Sequence, residues 1–149
     1  MRILAIETAT EACSAALFDN GTLLDARHEV LGRGHAERLV PMIAELPEKG
    51  HAEQIRISLG PGSFTGVRIG LTTIKSFCQA LGKPVVGISS LEALAYRFRQ
   101  VDSHIAPMMD AGRRQIYGAL FQIEGSSIHP EQEEQVLAPE KWLEGLPAG

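Results

Sequence analysis

Three strand-like runs follow one another at the start of the chain, and strands alternate with helices after them. That order limits what the sequence can fold into more than any composition does. Residues 2 to 8, RILAIET, form a short apolar run ending in small hydroxylated residues, and CSAALF follows the break at ATEA. The second run stops at Asp19-Asn20-Gly21. Asn-Gly between two strand-like runs is a strong hairpin signal, because both residues tolerate positive φ. A third run, TLLDARHEV, alternates loosely, so three consecutive antiparallel strands are expected.

From His35 the period changes. Ala36, Leu39, Val40, Ile43, Ala44 and Leu46 make one apolar stripe, giving a helix over 35 to 46 that Pro47 and Gly50 end. Residues 55 to 60 return to a strand. Val67, Leu71, Ile74, Cys78 and Leu81 then give a second helix over 67 to 82, closed by Gly82. After Pro84 the run VVGIS is a buried strand, and Ser89 or Ser90 caps a third helix to about Arg99, with Glu92 in its first turn. Residues 1 to 100 thus read βββαβαβα, a mixed sheet whose parallel part is covered by helices. A fresh strand begins at His104 with IAPMM, IYGALFQI follows a turn, and after an acidic stretch Pro139 opens a short helix through Leu146. The restart near 104 resembles the opening of the chain, so residues 1–100 are expected to form a first lobe and 101–149 the beginning of an incomplete second one.

With 44% apolar and 21% charged residues in 149, the composition is globular. No run approaches the roughly 18 to 20 apolar residues of a membrane span, and the N-terminus lacks signal-peptide order, which places the chain in the cytoplasm with no membrane partner. Cys13 and Cys78 have no CxxC pairing and read as small core residues. Net charge is −4 and the longest cationic cluster is the Arg113-Arg114 pair. The electrostatic footprint of a free-standing nucleic-acid binder is missing, so contact with RNA needs a partner's help.

The stretch SLGPGSFTGVRIG, residues 58 to 70, is the richest in possible chemistry. It fails the P-loop pattern because valine follows Gly66, and it fails GxGxxG because Gly60 and Gly62 have no third glycine at 65. The nucleophile elbow fails by one residue. What remains is a strand ending in Gly-Pro-Gly before a helix whose free N–H groups attract an anion. Alternatively Ser63 or Thr65 caps those donors, and Phe64 then pins the loop to the core. Histidines stand at 28, 35, 51, 104 and 129, with no i, i+4 pair to hold a metal. His35, at a helix start, reads as a surface or interface residue. Glu7 and Asp110, each at a strand end, either face one another across a cleft or are solvated carboxylates.

The segments ILAIETATEACSAAL, GHAERLVPMI, SLGPGSFTGVRIGLTTIKSFCQALGKPVVGISSLEALA and MMDAGRRQIYGALF together resemble the TsaB (YeaZ) family. They run in family order over nearly the whole chain, and GPGSFTGVRIG is the most specific. The resemblance implies the ASKHA fold of actin, sugar kinases and Hsp70. It also implies a role in making N6-threonylcarbamoyladenosine at position 37 of tRNAs that read codons beginning with A. In that family's pathway a synthase makes threonylcarbamoyl-AMP, and TsaD transfers the carbamoyl group. TsaB is a non-catalytic paralogue that binds and activates TsaD, and the ATPase TsaE is a third member. The tRNA would be met only through the complex, and a homodimer is the alternative pairing.

TsaD-like proteins carry two metal-holding histidines where Ser90 and Leu94 stand here, and a hydroxyl and an isobutyl group replace neither. The resemblance therefore implies no metal, no cofactor and no catalytic residue. Glu7 stands where such folds hold magnesium, but ATATEA lacks the glycines that close backbone amides around phosphate. The glycine loop is then a turn first and a weak anion site second, with Thr8, Thr10, Gly60, Gly62 and Ser63 as its candidates. The family pairs through its first two helices, which makes His35, Leu39, Met42, Ile43, Gly66, Gly70, Ile74, Phe77 and Cys78 the interface candidates. Gly66 and Gly70, one turn apart, would let a second backbone approach. Family members continue past Leu146, and PEKGHAEQ is shorter than their connection. The competing class is an ASKHA-type ATP-dependent phosphotransferase or ATPase using Glu7 and Asp110 around magnesium.

Overall fold

The three opening runs form the antiparallel half of a five-stranded sheet. A computed structural model describes residues 1–148. In it β1 (Arg2–Glu7), β2 (Ala12–Asp19) and β3 (Thr22–Val30) pair antiparallel in sequence, with Asn20-Gly21 at the first hairpin, both at positive φ. β4 (Gln54–Ser58) and β5 (Val85–Ile88) then add in parallel on the far side of β1, giving the order β3-β2-β1-β4-β5. Parallel neighbours need crossovers, and α1 (His35–Ala44) and α2 (Phe64–Leu81) lie in the connections leading to β4 and β5.

Alternation decides which face the helices cover. Leu4 and Ile6 of β1, Cys13, Ala15 and Leu17 of β2, and Ile55 and Ile57 of β4 are all buried. They share one core with Leu39, Met42 and Ile43 of α1 and with Ile74 and Cys78 of α2. The sheet thus takes Leu39, Ile43 and Leu46 of the α1 stripe and Ile74 and Cys78 of the α2 stripe, while Ala36, Val40, Ala44 and Leu81 stay exposed. α2 begins one turn earlier than its apolar spacing predicts, because Ser63 Oγ accepts the Gly66 N–H at 3.2 Å and caps the helix ahead of Val67. Both cysteines are buried and free.

Contacts divide the chain into Met1–Ile88 and Ser89–Gly149. The third helix, α3 (Ser90–Tyr96), groups with the second unit, whereas its place in the βββαβαβα order puts it with the first lobe. Ser89 caps it, accepting the Glu92 N–H at 3.3 Å. The expected strand IAPMM is two strands, β6 (Ser103–Ile105) and β7 (Met108–Gly112), parted at Pro107, which has no N–H to give a ladder. Both pair with β8 (Gln115–Glu124), which pairs along its length with β9 (Ser127–Leu137). Ala119 and Phe121 of β8 pack with Leu91 and Ala95 of α3. Trp142 of α4 (Pro139–Glu144), 2% exposed, lies over Gly118.

Arg38 of α1 ties β3 to the helix, with Nε donating to Glu29 at 2.8 Å and Nη1 to Glu45 at 2.7 Å. Those hydrogen bonds hold both carboxyl groups below the 4.5 of a free glutamate. A group whose folded pKa is depressed contributes stability above its unfolded pKa and loses it as pH falls through the folded value. Carboxyl NMR titration is expected to give midpoints below 4.5 for Glu29 and Glu45, both returning toward 4.5 in Arg38→Gln. Leu39→Ala, at a fully buried core position, is expected to cost about 2–5 kcal/mol in urea denaturation.

Candidate functional site

The glycine loop is closed on the turn that follows β1. An ideal Cβ at Gly66 would lie 2.0 Å from the Thr8 carbonyl oxygen, and one at Gly62 would lie 2.2 Å from the Ala9 carbonyl oxygen. At Gly70 it would meet Thr8 Oγ1 at 2.2 Å. Glycine is required at 62 and 66 by the close approach of this chain's own backbone, and at 70 by its own Thr8 hydroxyl, not by a second molecule. Hydrogen bonds complete the clamp. Thr8 Oγ1, fully buried, donates to Gly66 O at 2.8 Å, and Ser63 N–H donates to Ala9 O at 2.6 Å.

The same geometry accounts for each anion-site candidate. The hydroxyl oxygens of Thr10 and Ser63 accept the Ala12 and Gly66 N–H groups. Gly60 takes φ 88° at the bend, and Gly62 is filled by Ala9. Glu7 Oε1 accepts from Ala9 N–H at 2.5 Å and from Ser58 Oγ at 2.9 Å. Carbonyl oxygens of Thr8 and Ala9 face the glycine bend, and the Ala9, Ser63 and Gly66 N–H groups are each bonded within the chain.

Of its two expectations, surface or interface residue, His35 departs from the first. It is 6% exposed, and its Nε2 lies 3.0 Å from Thr10 O and 3.2 Å from Ala12 O, so α1 holds the β1–β2 turn from the other side. Phe64 departs in the opposite sense. It is 75% exposed and pins nothing, and the Arg68 guanidinium sits 5.2 Å from its ring centroid.

Of the nine interface candidates, His35, Leu39, Met42, Ile43, Gly66, Gly70, Ile74 and Cys78 are buried within the first unit, and Phe77 is half-buried against its core. The outward face of the helix pair is a different set. Ala36 of α1 and Phe64, Arg68, Ile69 and Thr72 of α2 line an open groove of about 400 Å³. Val40, one turn beyond Ala36, is 42% exposed. The i, i+4 pair Phe64/Arg68, where the α2 apolar stripe runs out at its N-terminal edge, is the sequence signal that finds this face.

In the second unit, Ser90 is buried with an Oγ that has no hydrogen-bond partner, and Leu94 packs against the α3–β8 core. Asp110 is exposed and accepts the Gly112 N–H at 2.7 Å. No group of three or more His, Cys, Asp or Glu side chains that could hold a metal occurs among the described residues. No helix among them is long and apolar enough to cross a membrane.

A β3-β2-β1-β4-β5 sheet, with helices crossing over before β4 and β5 and a turn after β1 pressed into a glycine bend, defines a lobe of the ASKHA type. A ROK family protein from Streptococcus pneumoniae shares that fold, with TM-score 0.56 at 14% identity over 87% of this chain and 48% of its own. Residues 28–149 match the family model described as TsaD: tRNA N6-adenosine threonylcarbamoyltransferase. The tRNA threonylcarbamoyladenosine biosynthesis protein TsaB of Escherichia coli is 36% identical over 94% of this chain and 64% of its own length. That of Bacillus subtilis is 34% identical over 98% of this chain and 66% of its own. YeaZ from Pseudomonas aeruginosa superposes with TM-score 0.81 at 36% identity, covering 93% of this chain and 68% of that one. The chain belongs to the TsaB (YeaZ) family. It spans slightly under two thirds of the two curated relatives.

The clamp predicts an energetic coupling. Gly70→Ala is expected to destabilise the protein by several kcal/mol. Thr8→Ala, which removes the oxygen that the new Cβ would strike, should recover part of that loss, with about 0.5–3 kcal/mol of coupling in a double-mutant denaturation cycle. Additive effects would refute direct packing between the two positions.

Proposed function

We propose that this chain acts in forming N6-threonylcarbamoyladenosine on tRNA, as a non-catalytic partner that binds and activates a TsaD-type transferase. The names of the related proteins supply the pathway. The observation that carries the partner reading is the outward face of α1 and α2. Phe64 is three-quarters exposed under a stacked Arg68, beside an open groove lined by Ile69 and Thr72. Aromatic and arginine side chains dominate binding energy at interface centres, and an exposed aromatic beside a groove suits insertion into a partner. Docking uses the helix pair named by the family resemblance, on its exposed side. A second copy of the chain competes for the same face as a homodimer. TsaE with ATP completes the assembly, and tRNA is met through the complex.

The clamped loop supports the non-catalytic reading. A phosphotransferase needs backbone amides free to take up phosphate as charge develops, and here carbonyl oxygens fill the glycine bend. The phosphotransferase reading therefore requires the turn to open.

Reconstitution with TsaD, TsaE, the carbamoyl donor and tRNA is expected to give modification with this chain and little without it. Phe64→Asp, at an exposed position, should leave the melting temperature unchanged and weaken co-elution with TsaD by roughly 30-fold or more, as loss of an interface hot spot does. Tight Mg-ATP binding with turnover by the lone chain, measured by calorimetry, would overturn the partner reading in favour of an ATPase.

A further inference from the structure

The hairpin between β7 and β8 turns on two arginines. Gly112 pairs with Gln115 across the ladder, which leaves Arg113 and Arg114 as a two-residue loop with φ 54° and 61°. A loop of this length and twist takes Asn-Gly or Asp-Gly by preference, because both positions need positive φ. Arginine in that region crowds its Cβ against the following carbonyl, and this turn does so twice in succession. Backbone held in a disfavoured region persists only where its surroundings over-determine it, and such positions gather at functional sites. Here the ladder on both sides and the Asp110 carboxylate on the Gly112 N–H hold the turn.

What the turn presents is charge. Both arginines are exposed, and neither enters an ion pair among the described residues, whereas Arg2, Arg27 and Arg38 are each paired. In a chain of net charge −4 the longest cationic run therefore stands unneutralised at a hairpin tip. A guanidinium fork matches two phosphate oxygens, and adjacent arginines on a stiff two-residue loop reach neighbouring phosphates at little cost in side-chain ordering.

We propose that the Arg113-Arg114 tip contacts the phosphate backbone of the tRNA bound by the assembly. The inference rests on the reading that this chain works in a tRNA-modifying complex. Phosphate contacts fix register without reading sequence, so the tip orients the RNA and leaves base recognition to other groups. Two such contacts are too few for the chain to bind RNA alone at physiological salt, which agrees with its acidic balance.

The turn supplies its own test. Arg113→Asn/Arg114→Gly installs the preferred hairpin pair, so the double variant is expected to melt above the parent and to pair with TsaD as the parent does. Binding of an unmodified tRNA transcript to the complex should weaken roughly tenfold at low salt, and the slope of log affinity against log salt should fall by about 1.8, or 0.9 per phosphate contact. Arg113→Lys/Arg114→Lys should restore most of the slope. An unchanged slope with pairing intact would overturn the RNA contact and leave the partner reading standing. Lost pairing in the Asn-Gly variant would assign the tip to a protein surface and equally overturn it. Failure of the parent chain to pair with TsaD would sink the functional reading itself and the tip's tRNA contact with it, an outcome distinct from an unchanged slope with pairing intact.

Discussion

Carbonyl oxygens pressed into a glycine bend organise the first unit. Thr8 O and Ala9 O occupy the space that side chains at 66 and 62 would need, and the Thr8 hydroxyl fills the space at 70 while bonding Gly66 O. Three glycines on the bend and the first turns of α2 therefore set how closely α2 approaches the end of β1. That distance brings Ile74 and Cys78 down onto the sheet, where they share a core with Leu4, Ile6 and Ile57. His35 closes the same turn from α1, so both helices are referenced to one short segment between β1 and β2. A methyl group at 66 or 70 would have to displace backbone or a buried hydroxyl, and neighbours packed at interior density do not yield cheaply.

The two faces of an amphipathic helix carry opposite obligations, which explains why the interface candidates and the outward groove share no residue. Leu39, Met42, Ile43, Ile74 and Cys78 are conspicuous because they are apolar at helical spacing, and that periodicity is what burial against a sheet selects. Spacing alone does not separate the two faces, since Ala36 and Val40 share the helical stripe of Leu39 and Ile43 yet stand on the exposed side, with Phe64 among threonines and Arg68. Its amphipathic character lies in single side chains, an aromatic ring under a guanidinium being apolar in body and polar at the rim.

Elements whose signal is local were legible in the sequence. Asn20-Gly21, Ser89 with Glu92, and the apolar runs of β1 and β2 each specify their structure within a few residues, and with the two helical stripes they give the order βββαβαβα. β9 was not legible. SIHPEQEEQVL has no alternation and holds Pro130, yet it pairs with β8 along its length, with register shifts near Gly118 and Leu120. An edge strand has one ladder to satisfy and benefits from charge that discourages further pairing, so its sequence records solvent more than sheet. His35 and Phe64 were read the wrong way round for a related reason. A helix-start histidine is buried here because two carbonyls from another loop await it, and no spacing rule contains that partner. The site was legible as a motif, since GPGSFTGVRIG marks the family, but the motif does not say what its glycines face.

A loop closed on itself changes what an ASKHA-type lobe is good for. The turn after β1 presents its Thr8 and Ala9 carbonyl oxygens to the glycine bend, and a carbonyl oxygen offers a phosphate no hydrogen bond. The same bend fixes the start of α2 through the Ser63 cap and the Gly66 contact. Phe64 is the first residue of that helix, so the bonds that occupy the loop also hold the exposed ring in one place. On the proposed partner reading, ordering Phe64 before encounter removes an entropic cost of association that a mobile loop would bear on each binding event. On that same reading, one short turn both closes the glycine bend and sets the start of α2, so a single piece of packing bears on phosphate access and on docking alike.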